Sequence, residues 1–480
     1  MSEPDEAGLD RLLAPFNPWW SDPKGVWRRE VPGFERPLLA QLVNDLAAAP
    51  QMISVTGPRR VGKTTLLRQL VIYLLDRQGV GPERILYFSL DDPALFTSPA
   101  LRDRIVDLLV EHRRVPAFGA EGVYYFLLDE IQRLPHWELF LKKFYDLGYP
   151  IRFVVSGSAS VPIARESRES LAGRIRQRHL LPFSFREFCL YRLSGDSGFR
   201  QVLGAYPLLR AHLLEGRAAE ARDLLLRLDS ELLRFRAELD RCTQDYFRDG
   251  GFPEIWQLAD PAIRQEHLWD SFIKRVLFED LAMPAERRKP ENLARLCLYL
   301  MAHPGQELNT SRIAREAAVT RQAVEADLPL LESTHLVQRV RRFRSALFRP
   351  KEGNFKCYVV DLALHHAVAR TWDSVARDDR LLGTCAENLV ANHLASWAES
   401  LELAYYRDEQ REVDFVVTAA GGVRLPVEVK HRREMEGPRA LEWFARKHDA
   451  PLGVVVTREQ ATDLRGNILS IPLRYFLLAT

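Results

Sequence analysis

Short apolar runs alternate with longer amphipathic stretches along the first third of the chain. The runs begin at Met52, Ile85, Tyr124 and Ile151. The stretches between them carry apolar residues at helical spacing. Strands that alternate with helices predict a parallel sheet with helices on both faces. We therefore expect an α/β module over residues 36–190, preceded by an N-terminal arm over residues 1–35.

The remainder of the chain shows three further patterns. Residues 191–285 carry Leu, Ala, Arg and Glu at helical spacing, which predicts a helical lid or linker. Residues 286–370 contain three short helical patterns followed by a basic β-hairpin, which is the order of a winged helix. Residues 371–480 contain a helix, three strands, a second helix and a last strand, so we expect a further α/β domain there.

Length and composition agree with several folded domains. At about 150 residues per domain, the 480 residues suggest roughly three or four units. A hydrophobic share of 46% with 28% charged residues excludes a largely disordered chain. The net charge is only +2, so any attraction to nucleic acid must come from local arginine clusters.

The cysteines and the start of the chain indicate a cellular compartment. The five cysteines lie far apart without a CxxC pair, which favours neither a zinc module nor a disulfide framework. The chain does not begin with a basic region followed by an apolar stretch, and no segment reaches about 18 uninterrupted apolar residues. We therefore expect a cytoplasmic protein without a membrane anchor.

A phosphate-binding loop follows the first apolar run. GPRRVGKT matches the pattern GxxxxGK[ST] between a strand and a helix. In such a loop backbone N–H groups surround phosphate oxygens, the lysine neutralises them, and the following hydroxyl binds Mg²⁺. We expect ATP and Mg²⁺ here, against the alternative of a chance glycine turn that caps a helix. The predicted residues are Gly57, Pro58, Arg59, Arg60, Val61, Gly62, Lys63 and Thr64, with Thr65 packed beside them.

An acidic pair completes this site. The apolar run YYFLLDEIQ leads into Asp129 and Glu130. Two carboxylates at the end of a buried strand are unusual, because burying charge is costly without a metal or a proton. We expect Asp129 to hold Mg²⁺ and Glu130 to orient and polarise the attacking water, which predicts hydrolysis and not binding alone. For Glu130 the alternative is a solvated charge at a strand end.

Two further features follow the next apolar run. In VVSGSAS, we expect Ser156 or, preferably, Ser158 to contact the γ-phosphate or the lytic water, with a turn-forming serine as the alternative. Arginines are then frequent, at Arg165, Arg168, Arg174, Arg176 and Arg178. We expect one of them, with Arg174 preferred, to stabilise the transferring phosphoryl group in the same chain or in a neighbouring copy of a homo-oligomer. The alternative is a solvated basic face.

A set of motifs in fixed order resembles a large prokaryotic family of AAA-type ATP-binding proteins. The motifs are GPRRVGKTT, LDEIQ, SGSAS, SLAGR followed by LPFSFREF, and DGGFPE at Asp249–Glu254. In that family a C-terminal domain of long-uncharacterised function follows the ATPase. The resemblance implies an α/β fold with a P-loop AAA-type parallel sheet core, a helical lid, a winged helix and a C-terminal restriction-endonuclease-like α/β domain. It implies no substrate.

Charged residues of the last domain resemble the PD-(D/E)XK nuclease arrangement. Glu387 lies on a predicted helix, Asp414 on a strand, and Glu428 and Lys430 on one face of the next strand. By this resemblance Glu387, Asp414 and Glu428 bind Mg²⁺ or Mn²⁺, and Lys430 positions or deprotonates the nucleophile. Arg407 and His431 are candidate phosphate contacts, with an ordinary surface position as the alternative. A nuclease-like fold can also be a platform that binds without cleaving.

The predicted winged helix carries candidate DNA contacts. They are Thr320, Arg321, Gln322 and Glu325 on the recognition helix, and Arg339, Arg341, Arg342 and Arg344 in the wing. Polar residues at the start of such a helix reach base edges, and wing arginines suit phosphates or the minor groove. A protein-interaction module is the alternative, because Glu325 and Asp327 would oppose phosphate.

Together these features predict an ATP-hydrolysing AAA-type protein that acts on DNA. ATP turnover would be coupled to a DNA-binding winged helix and to a metal-dependent nuclease-like domain. The rival hypothesis is a signalling or scaffold NTPase, in which turnover changes the conformation for a protein partner and the C-terminal domain does not cleave.

Overall fold

The chain divides into two compact units, Met1–Leu181 and Pro182–Thr480. The first unit ends before the expected boundary at 190, because Phe188 and Cys189 are buried in the core of the second unit. The computed structural model describes residues 6–117, 122–158, 171–277, 290–343, 353–372, 374–375, 377–397, 401–419, 421–430, 438–458 and 461–479.

A five-stranded parallel sheet forms the centre of the first unit. Its strands are β1 (Met52–Gly57), β2 (Ile85–Ser89), β3 (Tyr124–Asp129), β4 (Ile151–Ser158) and β5 (Ile175–His179). Their order across the sheet is β2-β3-β4-β1-β5, and all neighbouring pairs are parallel. Every residue of β1 is buried, as is usual for a parallel strand between two layers of helices. The predicted α/β class with a parallel sheet core is confirmed.

Helices accompany this sheet. They are α1 (Glu6–Leu13), α2 (Pro37–Ala48), α3 (Lys63–Asp76), α4 (Pro93–Thr97), α5 (Pro99–His112) and α6 (Trp137–Asp146). The starts of α4 and α5 follow local sequence, because the side chains of Asp92 and Ser98 accept hydrogen bonds from backbone N–H groups and a proline follows each cap.

The N-terminal segment packs into the first unit and is not a separate arm. Leu9 and Leu13 belong to the apolar core. The side chain of Asn17 donates from Nδ2 to the Tyr87 carbonyl oxygen over 2.9 Å and accepts from the Tyr87 N–H over 2.7 Å. The indole N–H groups of Trp19 and Trp20 both donate to the carbonyl oxygen of Ile85 on β2, over 3.1 and 2.9 Å.

Helices dominate the first part of the second unit. They are α7 (Phe185–Arg192), α8 (Ser197–Leu203), α9 (Tyr206–Leu214), α10 (Ala218–Leu232), α11 (Arg236–Asp249) and α12 (Pro261–Leu268). Ser184 and Glu187 form a capping box at the start of α7, in which each side chain accepts from the other's backbone N–H.

The next segment runs helix, strand, helix, helix, strand, strand. Its elements are α13 (Pro290–Ala302), β6 (Glu307–Leu308), α14 (Thr310–Glu316), α15 (Arg321–Ser333), β7 (Val337–Arg342) and β8 (Phe355–Val359). Strand β8 lies between β6 and β7 and is antiparallel to both. Helix α16 (Leu362–Ala369) follows.

The last segment alternates helices and strands. Its elements are α17 (Asp379–Ser396), β9 (Glu402–Arg407), β10 (Glu412–Thr418), β11 (Arg424–Lys430), α18 (Arg439–Lys447), β12 (Gly453–Thr457), β13 (Asp463–Arg465), β14 (Ile468–Pro472) and α19 (Leu473–Leu477). None of the helices in the described ranges has the length and apolar composition needed to cross a membrane.

The strands of these two segments form one sheet. The nine strands lie in the order β13-β14-β12-β11-β10-β9-β7-β8-β6. The junction is a parallel pairing of β7 with β9, in which Arg341 lies opposite Ala404 and Arg342 opposite Tyr405. Residues 286–370 and 371–480, which the sequence assigns to separate domains, are therefore continuous through backbone hydrogen bonds.

Candidate functional site

The predicted phosphate-binding loop connects the carboxyl end of β1 to the start of α3. A Cβ atom at Gly57 would collide with the carbonyl oxygen of Leu180, so only glycine fits there. Gly62 precedes α3 with a φ of 97°, a conformation that side chains other than glycine's rarely adopt. The loop therefore needs both glycines for its backbone path, and its N–H groups lie at a helix amino terminus.

Lys63 lies inside this loop. Its side chain is buried, and Nζ donates hydrogen bonds to the carbonyl oxygens of Gly57 and Pro58 over 2.9 and 2.8 Å. These two carbonyls hold the ammonium within the curve of the backbone. A phosphate group entering the loop would meet this charge directly.

Asp129 joins the loop to the end of β3. Its Oδ2 accepts a hydrogen bond from the Thr64 hydroxyl over 2.6 Å and one from the Tyr87 hydroxyl over 2.9 Å. Its Oδ1 accepts from the Ser156 hydroxyl. The carboxylate is 2% exposed. Because a hydroxyl and a carboxylate are the oxygen donors that Mg²⁺ prefers, Thr64 and Asp129 fit the ion that the sequence assigns to them.

Glu130 follows Asp129 in a left-handed backbone conformation, with a φ of 53°. Burial raises the pKa of its carboxyl group, and this effect outweighs the opposing attraction of Lys63. A raised pKa increases the proton affinity of the carboxylate, which suits a group that accepts a proton from water.

Gln132 links Glu130 to Ser158. Its Nε2 donates to the Glu130 carboxylate and, over 2.9 Å, to the Ser158 hydroxyl. Its Oε1 is buried and accepts no hydrogen bond from the residues that the structure describes. The sequence predicts roles for Glu130 and Ser158 but not for Gln132. Its position two residues after Glu130 was the available signal.

A second charged cluster lies in the second unit, around Lys356. This residue of β8 is 3% exposed, and its Nζ lies 2.9 Å from Glu387 Oε1, 2.9 Å from Glu412 Oε1 and 3.6 Å from Asp414 Oδ1. Burial disfavours the charged ammonium, but the carboxylates outweigh burial and raise the pKa of Lys356 above its usual range. The Tyr358 hydroxyl also donates to Glu387 Oε1, over 2.7 Å.

Glu428 and Lys430 form the other half of this cluster. Lys430 Nζ lies 2.6 Å from Glu428 Oε1, while Asp414 Oδ2 accepts a hydrogen bond from the Val429 N–H over 2.9 Å. Burial raises the pKa of Glu428. The structure thus brings Glu387, Asp414, Glu428 and Lys430 into one region, as the sequence predicts.

The donor geometry of this cluster does not fit the predicted Mg²⁺ or Mn²⁺. Glu387 and Asp414 direct oxygens at Lys356, and Glu428 directs one at Lys430. Among the described residues, no three His, Cys, Asp or Glu side chains form a group that could hold a metal ion. One observation points the other way, since Glu428 Oε2 is buried without a hydrogen-bond partner in the described part of the chain.

Comparison with known sequences separates the two regions. Residues 49–189 match the family described as AAA domain. The first unit is therefore AAA-like. Residues 241–374 and 382–476 match two families described as domains of unknown function, DUF8612 and DUF4143.

Relatives resemble the chain along most of its length. An uncharacterised protein of Methanocaldococcus jannaschii is 26% identical over 440 residues, which cover 89% of this chain and 85% of the relative. An uncharacterised protein of Mycobacterium tuberculosis is 26% identical over 390 residues, which cover 80% of this chain and 71% of the relative. The arrangement of the modules is thus shared with proteins whose names state no function.

Many solved structures also match, of which two are described. The replication initiator DnaA bound to AMPPCP and single-stranded DNA is 14% identical, with 65% of this chain and 92% of that chain covered and a TM-score of 0.24. Caenorhabditis elegans PCH-2 is 16% identical, with 33% and 45% covered and a TM-score of 0.23. Scores this low add nothing to the fold or the function.

Arg174, the arginine preferred for stabilising the transferring phosphoryl group, lies at the opposite end of β1 from the phosphate loop. The carbonyl oxygen of Arg174 accepts from the N–H of Met52, at the amino end of β1, and its guanidinium pairs with Asp146 over 2.7 Å. The loop follows the carboxyl end of β1, about 17 Å away at 3.3 Å per residue. Arg174 therefore does not reach the nucleotide site of its own chain, and a role in a neighbouring copy stays a prediction.

The other arginines of this group have structural partners or cannot be placed. Arg176 and Arg178 on β5 pair with the buried Asp45 over 2.5 and 2.7 Å. Burial opposes ionisation of Asp45, but hydrogen bonds from Arg178 and Arg176 outweigh it and lower the pKa. Arg165 and Arg168 lie outside the described residues.

The candidate DNA contacts separate into two groups. Arg321 and Gln322 are exposed in the first turn of α15, whereas Thr320 caps this helix by accepting from the Ala323 N–H over 3.1 Å. Glu325 pairs with Arg321 over 2.8 Å.

In the predicted wing, the Arg339 side chain is buried in an ion pair with Glu332, so in this conformation it is not accessible to DNA. Arg341 and Arg342 are exposed at the end of β7. Arg407, the candidate phosphate contact, pairs with Glu307 and Glu412 over 2.9 and 3.5 Å. Arg344 and His431 lie outside the described residues.

Proposed function

We propose that this protein hydrolyses ATP with Mg²⁺ at the P-loop of its AAA-like unit. The observation that carries the proposal is the 2.6 Å contact between the Thr64 hydroxyl and Asp129 Oδ2 at the edge where β1 and β3 both end. This contact places the two expected Mg²⁺ ligands together beside the loop that holds Lys63.

Each side chain of the site has a distinct task in this proposal. The loop N–H groups and Lys63 bind the β- and γ-phosphates, and Thr64 and Asp129 hold Mg²⁺, which neutralises charge on phosphate oxygens. Glu130 orients the water that attacks the γ-phosphorus and accepts its proton as the bond to the ADP oxygen breaks. Gln132 holds the Glu130 carboxylate in place.

The decisive experiment measures ATP turnover and ATP binding in the full chain. We expect Glu130→Gln to retain ATP binding while kcat falls by about 10²-fold or more, because the proton acceptor is lost. Lys63→Ala is expected to weaken ATP binding itself. Glu111→Gln, a neutralisation of an exposed glutamate on α5, is the matched control. Unchanged turnover in Glu130→Gln would contradict the proposed hydrolytic site.

The second unit supports a further proposal, that the protein binds duplex DNA through α15. The order helix, strand, helix, helix, strand, strand is that of a winged helix, and Arg321 and Gln322 are exposed at the start of its third helix. The pairing of Arg321 with Glu325 is a surface contact worth about 0–1 kcal/mol, so that a phosphate or a base edge can compete for the guanidinium.

Fluorescence anisotropy with a labelled duplex tests this proposal. We expect binding that weakens between about 50 and 200 mM salt, and a further loss of about tenfold in Arg321→Ala/Gln322→Ala. Arg241→Ala, which removes an exposed arginine of α11, is the control. If no duplex binds at the lower salt, the DNA proposal is wrong and a nucleotide-driven switch for a protein partner becomes the better account.

A further inference from the structure

Lys356 is a buried cation surrounded by three carboxylates, two of which, Glu387 and Asp414, the sequence assigns to a metal. It extends from β8, whose five residues are all buried. Glu387 approaches it from α17, and Glu412 and Asp414 approach it from β10. Three carboxylates from two separate elements therefore converge on one ammonium group.

These contacts engage one oxygen each of Glu387, Glu412 and Asp414, which a divalent ion at this position would also need. A buried ammonium without partners would be strongly destabilised, and so would buried carboxylates without a cation. At 2.9 Å from Glu387 and Glu412, Lys356 supplies the positive charge for this group. A divalent ion bound to the same oxygens would lie within a few ångströms of the ammonium, where repulsion between like charges is strong.

The remaining carboxylate is neutralised in a similar way. Glu428 Oε1 lies 2.6 Å from Lys430 Nζ, on the next strand of the same sheet. Lysine side chains thus contact all three predicted metal ligands, Glu387, Asp414 and Glu428.

We infer that Lys356 is the resident cation of this cluster, in place of a divalent metal, and that the second unit therefore neither binds Mg²⁺ or Mn²⁺ at Glu387, Asp414 and Glu428 nor cleaves DNA. Lys356 is covalently part of a fully buried strand, so it cannot leave the cluster as a bound ion can. The cluster joins α17 and β10 to β8 and stabilises the sheet at the junction of its two segments.

Binding of Mn²⁺ to the full chain, measured by electron paramagnetic resonance in the absence of nucleotide, tests this inference. All proteins carry Asp129→Asn, which removes the expected metal ligand of the AAA-like unit. The series compares the protein that retains Lys356 with the variants Lys356→Ala and Lys356→Arg. Each of the three is prepared with and without Asp414→Asn. Circular dichroism checks that each variant is folded, and nicking of a supercoiled plasmid with Mn²⁺ is measured in parallel.

We expect the protein with Lys356 to bind no Mn²⁺ that depends on Asp414 and to leave the plasmid intact. Lys356→Ala should bind Mn²⁺ at least about tenfold more tightly than Lys356→Ala/Asp414→Asn does, because the carboxylates have lost their cation. Lys356→Arg should gain no Asp414-dependent binding. Asp414-dependent Mn²⁺ binding or nicking by the protein that retains Lys356 would overturn the inference. This outcome can be read even if Lys356→Ala does not fold.

Discussion

At the scale of single residues, the side-chain amide of Gln132 has a fixed orientation. Its contact with the Glu130 carboxylate requires a donor, so that the NH₂ group faces Glu130 and Ser158 and the carbonyl oxygen faces away. A buried carbonyl oxygen without a hydrogen bond is unfavourable unless a water or a ligand supplies a donor. In the proposed mechanism, the attacking water beside Glu130 would be a suitable donor.

We therefore expect Gln132→Ala to lower kcat about 10-fold to 100-fold with little change in KM, because the loss concerns positioning for the reaction and not ATP binding. Steady-state ATPase kinetics measure this, with Gln78→Ala, an exposed position at the end of α3, as the control. The effects of substituting residues that act as a unit are not additive. The kcat of Glu130→Gln/Gln132→Ala should therefore be no lower than that of Glu130→Gln alone. Fully additive losses would show that Gln132 acts independently of Glu130.

The nucleotide site was predictable in part. Lys63 and Thr64 follow from local spacing, since a strand, a loop and a helix in direct succession fix where these residues lie. Asp129 follows from its position at the end of a later apolar run. The sequence does not predict that the Tyr87 and Ser156 hydroxyls donate hydrogen bonds to Asp129, because these contacts depend on which strands flank β3. The distance of Arg174 from the phosphate loop could not be derived, because its position after Ala-Gly does not show at which end of a strand it lies.

At the scale of elements, α17 buries a neutral histidine. His393 is 5% exposed and lies between Trp397 and Phe476, at ring-centroid distances of 5.2 and 5.1 Å. Burial lowers its pKa to about 3, with a further contribution from Arg210. An unfolded histidine titrates near 6.5, so between these values the unfolded chain binds the proton and the folded chain does not.

This difference makes the stability of the second unit fall as the pH falls. Relative to pH 7, we expect His393 to cost about 2 kcal/mol of unfolding free energy at pH 5. His393→Phe should lack this contribution, so the wild-type value should drop by about that amount more than the variant's. Urea unfolding of both proteins at pH 5, 7 and 8 measures it. The difference in unfolding free energy between the two proteins should stay constant between pH 7 and 8. If this difference also stays constant down to pH 5, His393 does not titrate as described.

The strands of the first unit were largely predictable, with one exception. Buried parallel strands appear in sequence as short apolar runs, and the expected starts at 52, 85, 124 and 151 match β1 to β4. Strand β5 was missed because its sequence, IRQRH, is basic and resembles a solvated face. Its arginines are accommodated at the sheet edge by pairing with Asp45, a contact more than 100 residues distant in sequence.

At the scale of the whole molecule, the number of folded units is smaller than the sequence suggests. Near residue 371 the pattern changes from helical to alternating and one matched family gives way to the next, yet the nine-stranded sheet is continuous across this point. Strands β7 and β9 are separated by some 60 residues and still pair. Pairing between distant strands leaves no local signal, so the nine-stranded sheet could not be derived from periodicity.

The contacts of the N-terminal segment with Ile85 and Tyr87 have a consequence for association. Strand β2 is the last strand on its side of the five-stranded sheet, and an uncovered outer strand offers its backbone groups to strands of other chains. Asn17 engages both the N–H and the carbonyl of Tyr87, and two indoles engage the carbonyl of Ile85. Side chains thus occupy backbone groups of Ile85 and Tyr87 that a further strand would use, which disfavours pairing of this edge with another sheet.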